Sequence, residues 1–179
     1  MLVYAPDQPD LFARICGYFD GAGFSILDAK IHTTTRRYAL DTFQVVFAHA
    51  EQYQDVQYRD LISLVETQLA RALASTGPLP EPSRGRLSRR VRSFPVPARV
   101  LLKPDERAQR WLLSVSASDR SGLLYAIARV LARHRVNLQL AKVSTLGERV
   151  EDTFLVDGPE LQQSRAQLQI ESELLDAVA

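Results

Sequence analysis

The sequence predicts an α+β chain built from two βαββαβ modules, the second lacking its last strand. Three observations carry this. The chain aligns with itself at an offset of 112 residues. Within each copy the apolar residues switch between a helical and a strand period. The connections between the second and third strands are too short for a parallel crossover, so those strands pair antiparallel.

The repeat comes first because it sets the domain count. Asp7-Gln8-Pro9-Asp10-Leu11-Phe12 lies over Asp119-Arg120-Ser121-Gly122-Leu123-Leu124. The match continues with Ile15 over Ile127, Phe19 over Leu131, Phe24 over Val136, Ile26 over Leu138 and Ala29-Lys30-Ile31 over Ala141-Lys142-Val143. Asp41-Thr42-Phe43 meets Asp152-Thr153-Phe154 one residue out of step, a slip best placed in a hairpin loop. The expected boundaries are 1–103 for the first module and 110–179 for the second.

The elements follow in order. Leu2–Ala5 and Leu112–Ala117 are short apolar strands, each followed by a polar turn that opens on an aspartate. Leu11, Phe12, Ile15 and Phe19 then form an apolar stripe at helical spacing, as do Leu123, Leu124, Ile127 and Leu131. Gly21 and Gly23 mark the end of the first helix. Strands about Phe24–Thr33 and Ala39–Phe47, with counterparts Val136–Thr145 and Val150–Val156, complete each hairpin. In copy one a helix with Leu61, Leu64, Val65, Leu69 and Leu73 on one face follows, and a strand about Val96–Leu102 closes the module. This order gives a ferredoxin-like sheet with two helices on one face. Copy two ends on a helix carrying Leu161, Leu168, Leu174, Leu175 and Val178, so its sheet edge awaits a strand from elsewhere.

Composition excludes several classes. With 22 Lys+Arg against 21 Asp+Glu the chain has no global charge that draws it to nucleic acid or an anionic membrane. No apolar run nears the ~20 residues of a membrane span, and the start Met1-Leu2-Val3-Tyr4-Ala5-Pro6-Asp7 is not a signal peptide. The single cysteine, Cys16, points to a reducing cytoplasm and a small core residue. His32, His49 and His134 are scattered, so no metal site is expected. Phosphate-cradling glycine loops and the G-x-S-x-G nucleophile turn are absent. Residues 75–99 stand apart, with five of the nine prolines and the arginines Arg84, Arg86, Arg89, Arg90, Arg92 and Arg99. They read either as a solvated loop or as a basic patch for a partner; Phe94 alone interleaves them, against single-strand stacking.

The chemistry is expected in the turn before each first helix. There the first N–H groups of the helix are unpaired and its dipole is positive. Asp10 and Ser121 suit a capping role, while the same N–H groups suit a ligand carboxylate. Asp7 and Asp119 could pair with a ligand ammonium. Gly122 allows close backbone approach, and the Asn137 amide offers both a donor and an acceptor. Copy one has Asp10 for Gly122 and Ser25 for Asn137, so the two sites differ. Asp41 and Asp152, in equivalent strand positions, read as structural, and Trp111 as packing.

Asp119-Arg120-Ser121-Gly122-Leu123-Leu124 followed by Val136-Asn137-Leu138 resembles the ACT domain, a small amino-acid-sensing module. The longer strings Ile26-Leu27-Asp28-Ala29-Lys30-Ile31, Ala39-Leu40-Asp41-Thr42-Phe43, Phe94-Pro95-Val96-Pro97 and Thr145 to Phe154 resemble the C-terminal tandem ACT region of the bacterial PII uridylyltransferase/uridylyl-removing family. The resemblance implies a regulatory part of an enzyme that adds UMP to the PII protein and removes it, with glutamine as the signal. Neither an H-D dipeptide nor D-x-D occurs, so catalysis and its magnesium belong to other domains of such an enzyme. By the same resemblance the effector-binding residues are Asp119, Arg120, Ser121, Gly122, Leu123 and Asn137, with Asp7, Pro9, Asp10, Leu11 and Ser25 in copy one. Glutamine is expected at a seam between the first loop of one module and the second strand of another, in tandem or in an ACT-mediated homodimer, with its carboxylate near Ser121–Leu123 and its polar groups read by Asn137. A module that docks PII or the catalytic domains without binding an amino acid is the alternative. One departure concerns the turn Thr34-Thr35-Arg36-Arg37-Tyr38, where the family has a glycine before the aromatic; a different turn geometry is expected.

Overall fold

The computed structural model describes residues 1–8, 10–34, 37–47, 57–83, 95–105 and 110–179. Copy one contributes β1 (Leu2–Pro6), α1 (Leu11–Gly21), β2 (Phe24–Lys30), β3 (Tyr38–Phe47) and α2 (Tyr58–Ala74). Next come β4 (Arg99–Asp105), β5 (Arg110–Ser118), α3 (Leu123–Arg133), β6 (Asn137–Lys142), β7 (Thr145–Leu146) and β8 (Arg149–Asp157). A 3-10 turn (Pro159–Gln162) leads into α4 (Ser164–Val178). The strands form one antiparallel sheet in the order β1-β3-β2-β6-β8-β5-β4, with β7 on β8.

Strand alternation explains why helices cover a single face. In β3, Ala39, Asp41 and Phe43 are buried while Tyr38, Leu40, Thr42 and Gln44 point outward, the pattern of a half-covered antiparallel sheet. The two copies even share an irregularity: β2 shifts register between Ile26 and Asp28, and β6 between Leu138 and Leu140.

The copies meet about a pseudo-two-fold axis. Lys30 of β2 pairs with Lys142 of β6, its own repeat equivalent, which is what an isologous contact requires. Beneath this seam α1 packs on α3. A Cβ on Gly17 would lie 2.7 Å from the Tyr125 ring, so the lack of a side chain there sets the close helix approach. Phe12, Phe19 and Phe43 fill the core of copy one, and Leu113, Ile127, Phe154 and Val156 that of copy two.

Helix ends follow the sequence. Gly23 takes φ +75 after α1, and at the equivalent place after α3 Arg135 takes φ 52. There Val136 N–H donates to Leu131 O at 2.9 Å, closing the helix end.

Three expectations change. The strand placed at Val96–Leu102 to close copy one is β4, and it pairs with β5 across the short 106–109 connection. Closing a short loop costs little entropy, so the neighbour in sequence takes the strand. The strand from elsewhere that copy two awaits is therefore β4, and β1 of copy one is left at the end of the sheet. In α4 the buried stripe is Ile170, Leu174 and Val178, whereas Leu168 is 67% exposed. Leu161 belongs to the preceding 3-10 turn, so counting the helical period from it puts the stripe out of phase. In α2, Leu64 is exposed and Leu69 is the buried residue.

Candidate functional site

Both loop–helix junctions lack a side-chain cap. Asp10 occupies the N-cap of α1 but makes no capping bond, and its carboxylate pairs with Arg14 at 2.6 Å. Gly122 is the N-cap of α3, in the left-handed region at φ +78. Capping by Asp10 or Ser121 is thus replaced by backbone turns. Leu11 N–H donates to Gln8 O at 3.0 Å, and Leu123 N–H to Arg120 O at 3.2 Å. The rest of each first turn presents N–H groups and a positive dipole end, with no capping bond from the N-cap side chain.

The aspartates that open the turns are anchored alike. Asp7 N–H donates to Arg37 O and Asp119 N–H to Glu148 O, both at 2.8 Å, which ties each loop to its hairpin. Arg37 has φ 60, so the glycine-free hairpin does hold a strained residue before Tyr38.

The pseudo-two-fold brings each first loop against the other copy's second strand, creating two seams. In one, residues 119–124 face Phe24, Ser25, Ile26 and Leu27 across a cavity of about 230 Å³. In the other, Asp7, Gln8, Leu11 and Phe12 face Asn137 and Leu138 with about 20 Å³ between them. A single water needs about 10–15 Å³ by this measure, so the second seam has room for about one water and none for a larger ligand. The reason is residue size: Phe12 stands where copy two has Leu124, Ile31 where it has Val143, and Asn137 where copy one has Ser25.

Asp119, Arg120, Ser121, Gly122, Leu123 and Ser25 therefore gather at the open seam. Asp7, Leu11 and Asn137 gather at the filled one. Asn137 does not join Ser121–Leu123, because the seam exchanges strands between copies. Asp10 lies outside both linings, and Pro9 lies outside the described residues, as do His49, Arg84, Arg86, Arg89, Arg90, Arg92 and Phe94.

Carboxylates dominate the open cavity. Asp152 is 2% exposed and accepts Ser144 N–H at 3.2 Å; burial pushes its pKa up to about 7, with the Asp119 charge adding to the shift. Asp41, its equivalent, accepts His32 N–H at 3.2 Å and is pushed by burial to about 6. Both carboxylates thus brace the turn after the second strand, the structural role read from the sequence. Packing at the mouth raises Asp119 as well. Arg120 reaches away, its Nη2 donating to Ala177 O at 2.5 Å. Cys16 lines the cavity floor, and burial raises its thiol well above the usual value.

Sequence reasoning missed the strap over this seam. Arg14 Nη2 donates to Gly77 O at 3.1 Å, the Tyr125 hydroxyl to Pro80 O at 2.8 Å, and Arg129 to both Glu81 oxygens at 2.5 and 2.6 Å. Ser83 donates to the Asp20 carboxylate through its N–H at 2.7 Å and through its hydroxyl. The alternating Pro78, Pro80 and Pro82 were the available signal, since each proline fixes an extended φ.

Residues 111–172 match the ACT domain family. The chain carries an ACT domain. That match covers the second module; the first repeats its βαββ order. Over 178 residues the chain is 61% identical to the bifunctional uridylyltransferase/uridylyl-removing enzyme of Ralstonia nicotianae, covering 99% of this chain and 21% of the relative. It is 59% identical over its whole length to the enzyme of the same description from Burkholderia vietnamiensis, and 58% to that from Burkholderia thailandensis. The chain spans about a fifth of the length of these curated relatives, as an ACT region of an enzyme. No helix among the described residues is long and apolar enough to cross a membrane.

Proposed function

We propose that this ACT pair is the glutamine-sensing part of a cytoplasmic uridylyltransferase/uridylyl-removing enzyme, governing addition of UMP to the PII protein and its removal in nitrogen regulation. The observation that carries the reading is the open seam, where an uncapped helix end and carboxylates face one cavity. An α-amino acid has the matching charges. Its carboxylate would accept from the first-turn N–H groups of α3, its ammonium would lie by Asp119, and Ser25 would meet its side-chain amide. By the same reading, the magnesium of such an enzyme would belong to its catalytic domains.

Glutamine would regulate by preferring one arrangement of the modules, and a coupling of about 1–3 kcal/mol makes a useful switch. Titration calorimetry with glutamine, and with glutamate as control, tests this on the intact enzyme. One glutamine per chain is expected, with no heat from glutamate. Absence of glutamine binding at millimolar concentration would remove the reading.

A further inference from the structure

Module one has an uncovered sheet edge. Met1 and Phe43 exchange both backbone bonds, at 2.7 and 2.9 Å. By the antiparallel alternation Leu2 and Tyr4 then turn their N–H and C=O groups away from β3. No strand pairs with that side of β1 among the described residues. The side chains of Leu2 and Tyr4 are 61% and 66% exposed beside it, on the face that also carries Leu40.

The other end of the sheet is managed differently. There β5, the repeat equivalent of β1, is covered by β4 along its length. The outer edge of β4 is itself blunted, with Leu102 N–H donating to the Glu171 carboxylate of α4 at 2.9 Å. The helices show the same contrast. Against β4, α4 buries Ile170, Leu174 and Val178, whereas α2 buries Leu69 alone and leaves Ile62 and Leu64 exposed. By the repeat, the described residues of copy one therefore supply both halves of a strand-binding groove, a ladder edge and a helix with exposed apolar residues, and no described strand lies in it.

We infer that this groove binds an extended apolar segment from the remainder of the longer enzyme, which adds to β1 as an antiparallel fourth strand. Two facts select this occupant over a second copy of the chain. The repeat supplies the precedent, because module two takes its fourth strand from the polypeptide that leads into β5. The relatives supply the chain, because about four-fifths of their length lies outside the region matched here. Backbone ladder bonds would give affinity, and contact with the exposed Leu2 and Tyr4 side chains would give choice of side chain. Pro6, with no N–H, ends the ladder. Such a strand would join the sensing pair to the rest of the enzyme through a sheet rather than a loose tether.

Amide hydrogen exchange on the intact enzyme, resolved to single residues, tests the inference. Ser114 and Ser116 are the internal standard, being the repeat equivalents of Leu2 and Tyr4 with partners Leu101 and Arg99 in β4. The Leu2 and Tyr4 amides are expected to exchange within about tenfold of that standard. Faster exchange would mean an open edge and would overturn the inference. Protection that disappears on dilution, in step with dissociation of a dimer, would place a second copy on the edge and overturn it equally.

Discussion

Gly122→Ala is the sharpest perturbation of the open seam. Gly122 holds φ +78, and a Cβ there would press on the Ser83 backbone and lie 2.9 Å from the Ser83 hydroxyl and 3.2 Å from Asp20 Oδ1. Two costs follow. Forcing an L-residue into the left-handed region costs about 1–2 kcal/mol. Crowding a packed contact costs about 1–3 kcal/mol more, because the strap must move. Gly147→Ala separates them, since Gly147 has φ +66 with nothing within 4 Å of its Cβ position. Both variants lose the same glycine entropy from the unfolded chain, so that contribution cancels. Net of that entropy, urea unfolding should show Gly147→Ala destabilised by about 0.5–1 kcal/mol and Gly122→Ala by about 1.5–4 kcal/mol. At roughly 2–4 °C per kcal/mol for a chain this long, Tm should separate the two in the same order. Equal destabilisation would refute the idea that the strap rests on the loop, leaving only backbone strain at both positions.

Arg37→Gly should stabilise the chain by about 0.5–1 kcal/mol, because relief of the positive φ exceeds the added entropy of the unfolded state; urea midpoints check it. The pKa of Asp152 rises from 3.8 to about 7 on folding, so the folded state holds the extra proton. Its contribution is complete below about pH 4 and lost as pH rises through about 7, up to about 4 kcal/mol at 1.36 kcal/mol per unit. Asp152→Asn should therefore remove most of the fall in stability between pH 4 and pH 8 and leave the smaller share owed to Asp41; urea unfolding across that range measures it. Leu124→Phe with Ser25→Asn copies the filled seam into the open one, and should weaken glutamine binding by more than about tenfold (1.4 kcal/mol) in calorimetry while Tm changes little.

What the sequence displayed was whatever repeats or is periodic. The offset of 112 located the first helix and the second and third strands of each copy, because side chains that pack on a sheet face cannot drift from their register. It also marked the two first loops as candidate sites. Partner choice between strands was not visible. Arg99–Asp105 has the same half-buried alternation whichever neighbour it joins, and the decision lies in the short connection to β5. That the first loop of one module would meet the second strand of another was expected, but not its consequence that Asn137 and Ser121, of one copy in sequence, fall in opposite cavities in space. The strap escaped for a third reason: two of its bonds run from α1 and α3 side chains to its carbonyls, which any residue supplies.

The two breaks in the pseudo-symmetry lie on one stretch of chain. Residues 77–83 cross both helices at the open seam, and the same polypeptide runs on to β4, which completes the sheet of module two. Ser83 rests against Gly122 and Asp20, both of which line the cavity, so an occupant cannot move the 119–123 loop without pressing on the strap. Nothing comparable crosses the filled seam among the described residues, where Phe12, Ile31 and Asn137 leave no room for a ligand. Occupancy of one cavity would therefore act asymmetrically on a nearly symmetric pair. A change in one loop would be felt as tension on the segment between modules, and a bistable seam of packed helices can turn so small a shift into two discrete arrangements.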